Sequence, residues 1–120
     1  MRHLIFIVLV FLSIVSMGQK DSRFIVEEDR IKKITYYDEG NIRETGYYDL
    51  KGDRIGVWIM YHINGNVNMV GEFRNGLKHN EWSVYNSNGE LISKMFYKDG
   101  KRTGTWEIYR NGELVQTKTY

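Results

Sequence analysis

The 120-residue chain contains no cysteine and no proline. The missing cysteines exclude disulfides, thiolate-bound zinc and a lipidated N-terminal cysteine. Packing and hydrogen bonds must therefore hold the fold alone. Histidine is scarce. Of the three, His62 and His79 have no second histidine or cysteine at ligand spacing, so no metal and no other cofactor is expected. Charge of one sign is lacking too: 17 Lys and Arg against 15 Asp and Glu leave a net +2. So balanced a surface gives no field that argues for nucleic acid.

Long hydrophobic runs are absent except for Leu4 to Val15, interrupted only by Ser13. Arg2 and His3 precede it. Ser16-Met17-Gly18 follows, placing small residues at the −3 and −1 positions of a cut before Gln19. This is the pattern of a secretory signal peptide. The run falls short of the ~20 residues of a membrane-spanning helix, although an uncleaved anchor is the alternative reading. The expected organisation is a signal peptide over residues 1–18, a lead-in over 19–30 and one small domain over 31–120. The protein is then exported, to the periplasm or the extracellular space.

What the chain does have is a repeat. Trp58, Trp82 and Trp106 stand 24 residues apart. Each opens a similar phrase: Trp58-Ile59-Met60-Tyr61, Trp82-Ser83-Val84-Tyr85 and Trp106-Glu107-Ile108-Tyr109. An Asn-Gly pair follows each one, at Asn64-Gly65, Asn88-Gly89 and Asn111-Gly112. Ile34-Thr35-Tyr36-Tyr37 is a degenerate first copy, with Gly40 in the turn role. Tyr48, Phe73, Tyr97 and Tyr120 recur in the second half of each unit, and Gly56, Asn80 and Gly104 lead into each Trp. A period of this size means stacked supersecondary units rather than one mixed core.

Each unit holds two apolar-containing stretches of about 6–8 residues separated by turn residues, which is a hairpin signal. The expected fold is all-β: a single-layer antiparallel meander of repeated hairpins, with roughly eight strands between Ile31 and Tyr120. Phe24-Ile25-Val26 is a further strand or capping piece, and Glu27-Glu28-Asp29 a solvated turn. A two-residue turn at Asn64-Gly65 sets Trp58 opposite Gly71, Met60 opposite Met69 and His62 opposite Val67. Trp58, Met60, Val67, Met69 and Phe73 then share a face. The same rule at Asn88-Gly89 sets Trp82 opposite Met95 and groups Trp82 and Val84 with Leu91, Met95 and Tyr97. Glycine 71 would be covered by Trp58. In the last unit, and in the first, a three-residue loop with a bulge is expected to keep the face.

Sites for chemistry are sparse. The acids Glu27, Glu28, Asp29, Asp38, Glu39 and Glu44 crowd the first unit, mostly at turns. No serine lies in a Gly-x-Ser-x-Gly context, and no Gly-x-Gly-x-x-Gly leads a strand into a helix. The chain is not expected to be an enzyme.

The phrase Tyr97-Lys98-Asp99-Gly100-Lys101-Arg102-Thr103-Gly104-Thr105-Trp106-Glu107-Ile108-Tyr109-Arg110-Asn111-Gly112-Glu113-Leu114 resembles the MORN repeat, whose motif runs aromatic-x-x-Gly-x-x-x-Gly-x-Trp-x-x-Tyr-x-x-Gly. The form is similar to the bacterial antitoxin-type variant. The resemblance covers about residues 34–120, with Asn80 in place of the motif's second glycine. It implies a curled meander of hairpins and a role as an interaction or scaffold module; some eukaryotic members are associated with phospholipids.

Two surfaces are candidates for binding. Tyr61, Tyr85 and Tyr109 recur along the face opposite the tryptophans, beside Val57, Ile59, Val70, Ile92 and Phe96. Tyrosine is common in protein-binding surfaces because it is rigid and amphipathic. Lys98, Lys101 and Arg102, with Lys78 and His79, form a basic edge that could meet anionic lipid or glycan headgroups. The first surface points to an exported, non-enzymatic protein-interaction module with an unidentified protein partner, and the second is the alternative. Both also have an architectural reading, as stacked side chains and solubilising turns.

Overall fold

The computed structural model describes residues 21–120 and the backbone of Leu9 and Val10. Its ten strands lie side by side in chain order in one antiparallel sheet, with no helix among the described residues. They are β1 (Leu9–Val10), β2 (Ser22–Glu27), β3 (Arg30–Tyr36), β4 (Ile42–Asp49), β5 (Arg54–Tyr61), β6 (Val67–Arg74), β7 (Leu77–Tyr85), β8 (Leu91–Lys98), β9 (Lys101–Arg110) and β10 (Glu113–Thr119). The eight strands from Arg30 to Thr119 are the expected meander. Phe24 to Val26 lies in β2, and Glu28-Asp29 turns the chain into β3. The backbone of Leu9 and Val10 pairs with Ile25 and Phe24. The expected cut before Gln19 lies outside the described residues.

Asn-Gly does not make one kind of turn here. At Asn75-Gly76, Asp99-Gly100 and Asn111-Gly112 both residues have positive φ, which is the tight two-residue hairpin. At Asn64-Gly65 only the glycine does. There His62 N–H donates to Asn66 O and Gly65 N–H to His62 O, which closes a three-residue loop. The same pattern links Asn86 with Gly89 and Glu90. Asn86 Oδ1 accepts from Asn88 N and Glu90 N, so the residue that opens the loop also fixes its length.

The expected two-residue turns at Asn64-Gly65 and Asn88-Gly89 are therefore corrected, yet the register beyond them stands. Trp58 faces Gly71, Met60 faces Met69, and Trp82 faces Met95. Each longer loop shifts the pairing by one, and a bulge one step later shifts it back. Between loop and bulge the pairing changes. Val67 faces Tyr61, not His62, and Leu91 faces Tyr85. Val67 and Leu91 thus belong to the tyrosine face rather than the tryptophan face. The first unit behaves as expected, with a three-residue loop after Tyr37 and a bulge beyond Tyr36. The last unit instead keeps a tight Asn111-Gly112 turn and carries its bulge at Val115.

A second irregularity sets the tryptophans. Between Ile55 and Ile59, the three residues Gly56, Val57 and Trp58 face Gly46 alone on β4. Asn80, Glu81 and Trp82 face Gly71, and Gly104, Thr105 and Trp106 face Met95. The residue that starts each excursion is left-handed: Gly56 at φ 67°, Asn80 at 60°, Gly104 at 67°. Asn80 keeps the conformation of the glycine it replaces, since asparagine tolerates this region better than most side chains. The excursion lays the indole on the preceding strand. A Cβ on Gly46 would fall 2.1 Å from the Trp58 ring, and one on Gly71 2.0 Å from Trp82. It is Trp82, not Trp58, that covers Gly71.

Among the described residues, Trp58, Phe73 and Trp82 are the buried hydrophobic ones, at 4%, 9% and 5% exposure. The core is thus a strip along one face, not the interior between two layers. Gly71→Ala should lower stability by about 3 kcal/mol through overpacking against Trp82. Gly65→Ala has open space around it and should cost about 1–2 kcal/mol of backbone strain alone. Urea denaturation followed by tryptophan fluorescence separates the two; equal losses would contradict the ring-on-glycine arrangement.

Candidate functional site

The tryptophan face is a continuous row of rings. Tyr48, Trp58, Phe73, Trp82, Tyr97, Trp106 and Tyr120 follow one another with centroids 4.8 to 6.3 Å apart. The first four contacts are edge-to-face, the orientation that sets the positive edge of one ring against the negative face of the next. Cations lie over this row at the repeat spacing. The Arg54 guanidinium is 4.9 Å from the Trp58 centroid and 5.3 Å from Phe73. The Lys78 ammonium is 4.9 Å from Trp82 and 5.0 Å from Tyr97, and Arg102 is 5.4 Å from Trp106 and 5.5 Å from Tyr120. Each such contact adds about 0.5–1 kcal/mol at an exposed site.

This placement changes the reading of the basic edge. Lys78 and Arg102 reach over rings of the row. Lys98 and Lys101 remain exposed, opposite each other across Asp99-Gly100. Arg54 was not singled out in the sequence, although it stands 24 residues before Lys78 and so shared its signal.

On the other face Tyr61, Tyr85 and Tyr109 are half-buried, opposite Val67, Leu91 and Leu114. Ile59, Val67, Val70 and Tyr85 line an apolar groove of about 300 Å³ edged by Asn66 and Gly89. Val57 lies on this face, half in solvent, and Ile92 occupies the bulge beside Leu91. Lys94 and Glu81 approach to 3.6 Å beyond the groove, an exposed pair of little energetic weight.

The loops beside the groove are laced together. The Tyr37 hydroxyl donates to Tyr61 O at 2.6 Å, and His62 Nε2 to Tyr85 O at 2.9 Å. Asn41 and Asn64 side chains donate to Ile63 O and Ser87 O, one repeat on. These bonds reach the strand-end carbonyls of Tyr61 and Tyr85 and the loop carbonyls of Ile63 and Ser87, and tie the groove's end to the next repeat.

Among the described residues no three or more His, Cys, Asp or Glu side chains converge as a metal site. Of the crowded acids, Glu27 pairs with Arg30 and Glu44 with Lys33, while Asp38 and Glu39 are exposed in their loop.

Tyr109 donates its hydroxyl to the Glu107 carboxylate. That hydrogen bond, then burial and the nearby negative charge, raise its pKa above the ordinary phenol value of 10.0. The neutral phenol is the bonded form, so its contribution is present below the ordinary phenol range and lost as pH rises through the raised value. Ultraviolet pH titration, compared with Tyr109→Phe to isolate this phenol, should show Tyr109 ionising later than free tyrosine. Glu107→Gln should return it toward the ordinary range, and no movement would refute the coupling.

Residues 78–99 match the MORN repeat variant family. These residues run from Lys78 in β7 to the turn after β8, so they hold one full Trp-to-Tyr unit of the sheet. The match carries the repeat and not an antitoxin-type assignment. No curated protein matches the chain. A solved structure of accessory secretory proteins 1, 2 and 3 from Streptococcus pneumoniae is similar at 20% identity and a TM-score of 0.43, over 84% of this chain. The chain spans only 21% of the chain it matches there. Within this protein, the segment 78–99 is similar to a MORN repeat variant, and the strands on either side repeat its geometry.

Proposed function

We propose that this protein is an exported, non-enzymatic repeat module that binds a protein partner through its tyrosine face. The observation that supports this most is the groove around Tyr85, an apolar floor of Ile59, Val67 and Val70 on a sheet face with no second layer among the described residues. The tryptophan face spends its rings and cations on one another. The tyrosine face offers aromatic and aliphatic side chains at a repeating step, with loops already fixed by hydrogen bonds. Preformed surfaces lose less entropy on binding. Export rests on the sequence pattern of residues 1–18. The lipid or glycan alternative is weakened, because Arg102 and Lys78 lie over rings and Asp99 sits between Lys98 and Lys101.

A photo-crosslinking residue at position 85 should form an adduct with one partner in envelope or culture fractions, and the same residue at Val84, on the opposite face, should not. Tyr85→Ala should cut recovery of that partner at least roughly tenfold while leaving the urea midpoint nearly unchanged. Adducts from both faces, or a Tyr85→Ala protein that unfolds, would make this tyrosine architectural. Intact mass of the exported protein should begin at Gln19; a protein retaining residues 1–18 would be anchored instead.

A further inference from the structure

Among the described residues, strand β10 is an outer edge of the sheet, since it pairs there with β9 and with no other strand. An edge presents a row of backbone donors and acceptors suited to another strand. All of its residues, Glu113–Thr119, are exposed. Val115 has no partner on β9, because the register shifts between Leu114 and Gln116. That bulge decides which side chains share a face. Glu113 lies opposite Arg110, Gln116 opposite Ile108 and Lys118 opposite Trp106. Those three β9 residues alternate, so Glu113, Gln116 and Lys118 all belong to the tryptophan face. Leu114 and Thr117, opposite Tyr109 and Glu107, belong to the other. With Leu114 and Val115 taken as one step, the acid and the base stand two steps either side of Gln116.

Two copies of an antiparallel edge related by a two-fold axis through the sheet must pair one residue with itself. Centred on Gln116, the pairing sets Glu113 of each copy directly opposite Lys118 of the other, on one face. It also sets Leu114 and Val115 opposite Thr117. Centred on Glu113 or Lys118, it would oppose like charges. Centred on Leu114 or Thr117, it would leave both charges without a partner. Opposite charges directly across a ladder stabilise it and like charges destabilise it, so charge selects a single register.

We propose that two copies of this protein join along β10 in that register, antiparallel, into one continuous sheet. The bulge at Val115, which in an isolated edge discourages pairing, is here the feature that brings Glu113 and Lys118 into mutual reach. The inference stands apart from the tyrosine-face reading, since it uses a different surface.

Sedimentation equilibrium over roughly 5–500 µM should show a monomer–dimer equilibrium with Kd on the order of tens of micromolar, because edge pairing buries less than a standard interface. Lys118→Glu and Glu113→Lys should each weaken it at least about tenfold, and the double swap E113K/K118E should restore it. Urea midpoints of the variants, compared with the parent, identify any loss that comes from unfolding, and the double swap remains decisive if one single variant unfolds. A chain monomeric throughout, a Kd indifferent to the single swaps, or a double swap that fails to restore pairing would overturn the proposal. An open series of oligomers would also overturn it, because that pattern means β10 meets the opposite edge of the sheet.

Discussion

An indole ring cannot lie flat on a β-strand unless the strand beneath offers no side chain. That constraint organises this protein. Trp58 rests on Gly46 and Trp82 on Gly71, at distances a Cβ could not share. To reach the preceding strand, each tryptophan strand needs extra length and a left-handed residue before the ring, which Gly56, Asn80 and Gly104 supply. The third copy shows the constraint by relaxing it. Met95 stands where Gly46 and Gly71 stand, and Trp106 is only partly buried. Its indole still donates to Phe96 O at 3.1 Å, as Trp58 does to Tyr47 O. The hydrogen bond thus survives the loss of the glycine, while close burial accompanies the glycine.

Stability in such a sheet passes from neighbour to neighbour. Among the described residues three hydrophobic side chains are buried, and they form a strip rather than a central core; with no cysteine in the chain, no disulfide anchors the strands either. Ring-to-ring contacts carry that role, each worth about 0.5–1.5 kcal/mol beyond the area it buries, and each unit closes the contact opened by the one before. Arg54, Lys78 and Arg102 extend the row outward, their stems covering apolar surface while their charges stay near water. The lacing of loops by Tyr37, His62, Asn41 and Asn64 does the same at one end of the strands, over steps of one repeat. The arrangement behaves as a one-dimensional array, in which local damage is felt mainly by adjacent units.

Much of this was legible because side-chain period and turn chemistry are local. Trp58 opposite Gly71 and Trp82 opposite Met95 followed from counting back from Asn-Gly. The count succeeded through two compensating departures, a longer loop and a bulge, and it failed in the short stretch between them, at Val67 and Leu91. The loop type depends on whether the asparagine itself turns left-handed, which the dipeptide does not specify. Asn75 and Asn111 do so and Asn64 does not. The ring-on-glycine packing was missed for another reason. It joins Trp82 to the strand before it, across an irregular ladder, whereas pairing arithmetic sees only the regular one. The cation row was hidden by convention: lysine and arginine at loop ends read as solubilising charge until rings are found beneath them.

The two faces differ in how regularly their side chains are engaged. The periodic tryptophans pack against the rings and cations of neighbouring units, and that packing accounts for their recurrence. The tyrosines are different. Tyr109 is engaged by Glu107, two residues away on its own strand, and Tyr85 borders a groove whose floor is apolar. Neither arrangement repeats along the sheet, because position 107 holds Glu while its counterparts are Ile59 and Ser83. A purely structural row would be expected to keep the same neighbours from unit to unit, as the tryptophan row nearly does. The ring row thus repeats across units whose turns and bulges differ, while the neighbours of the tyrosines change from unit to unit.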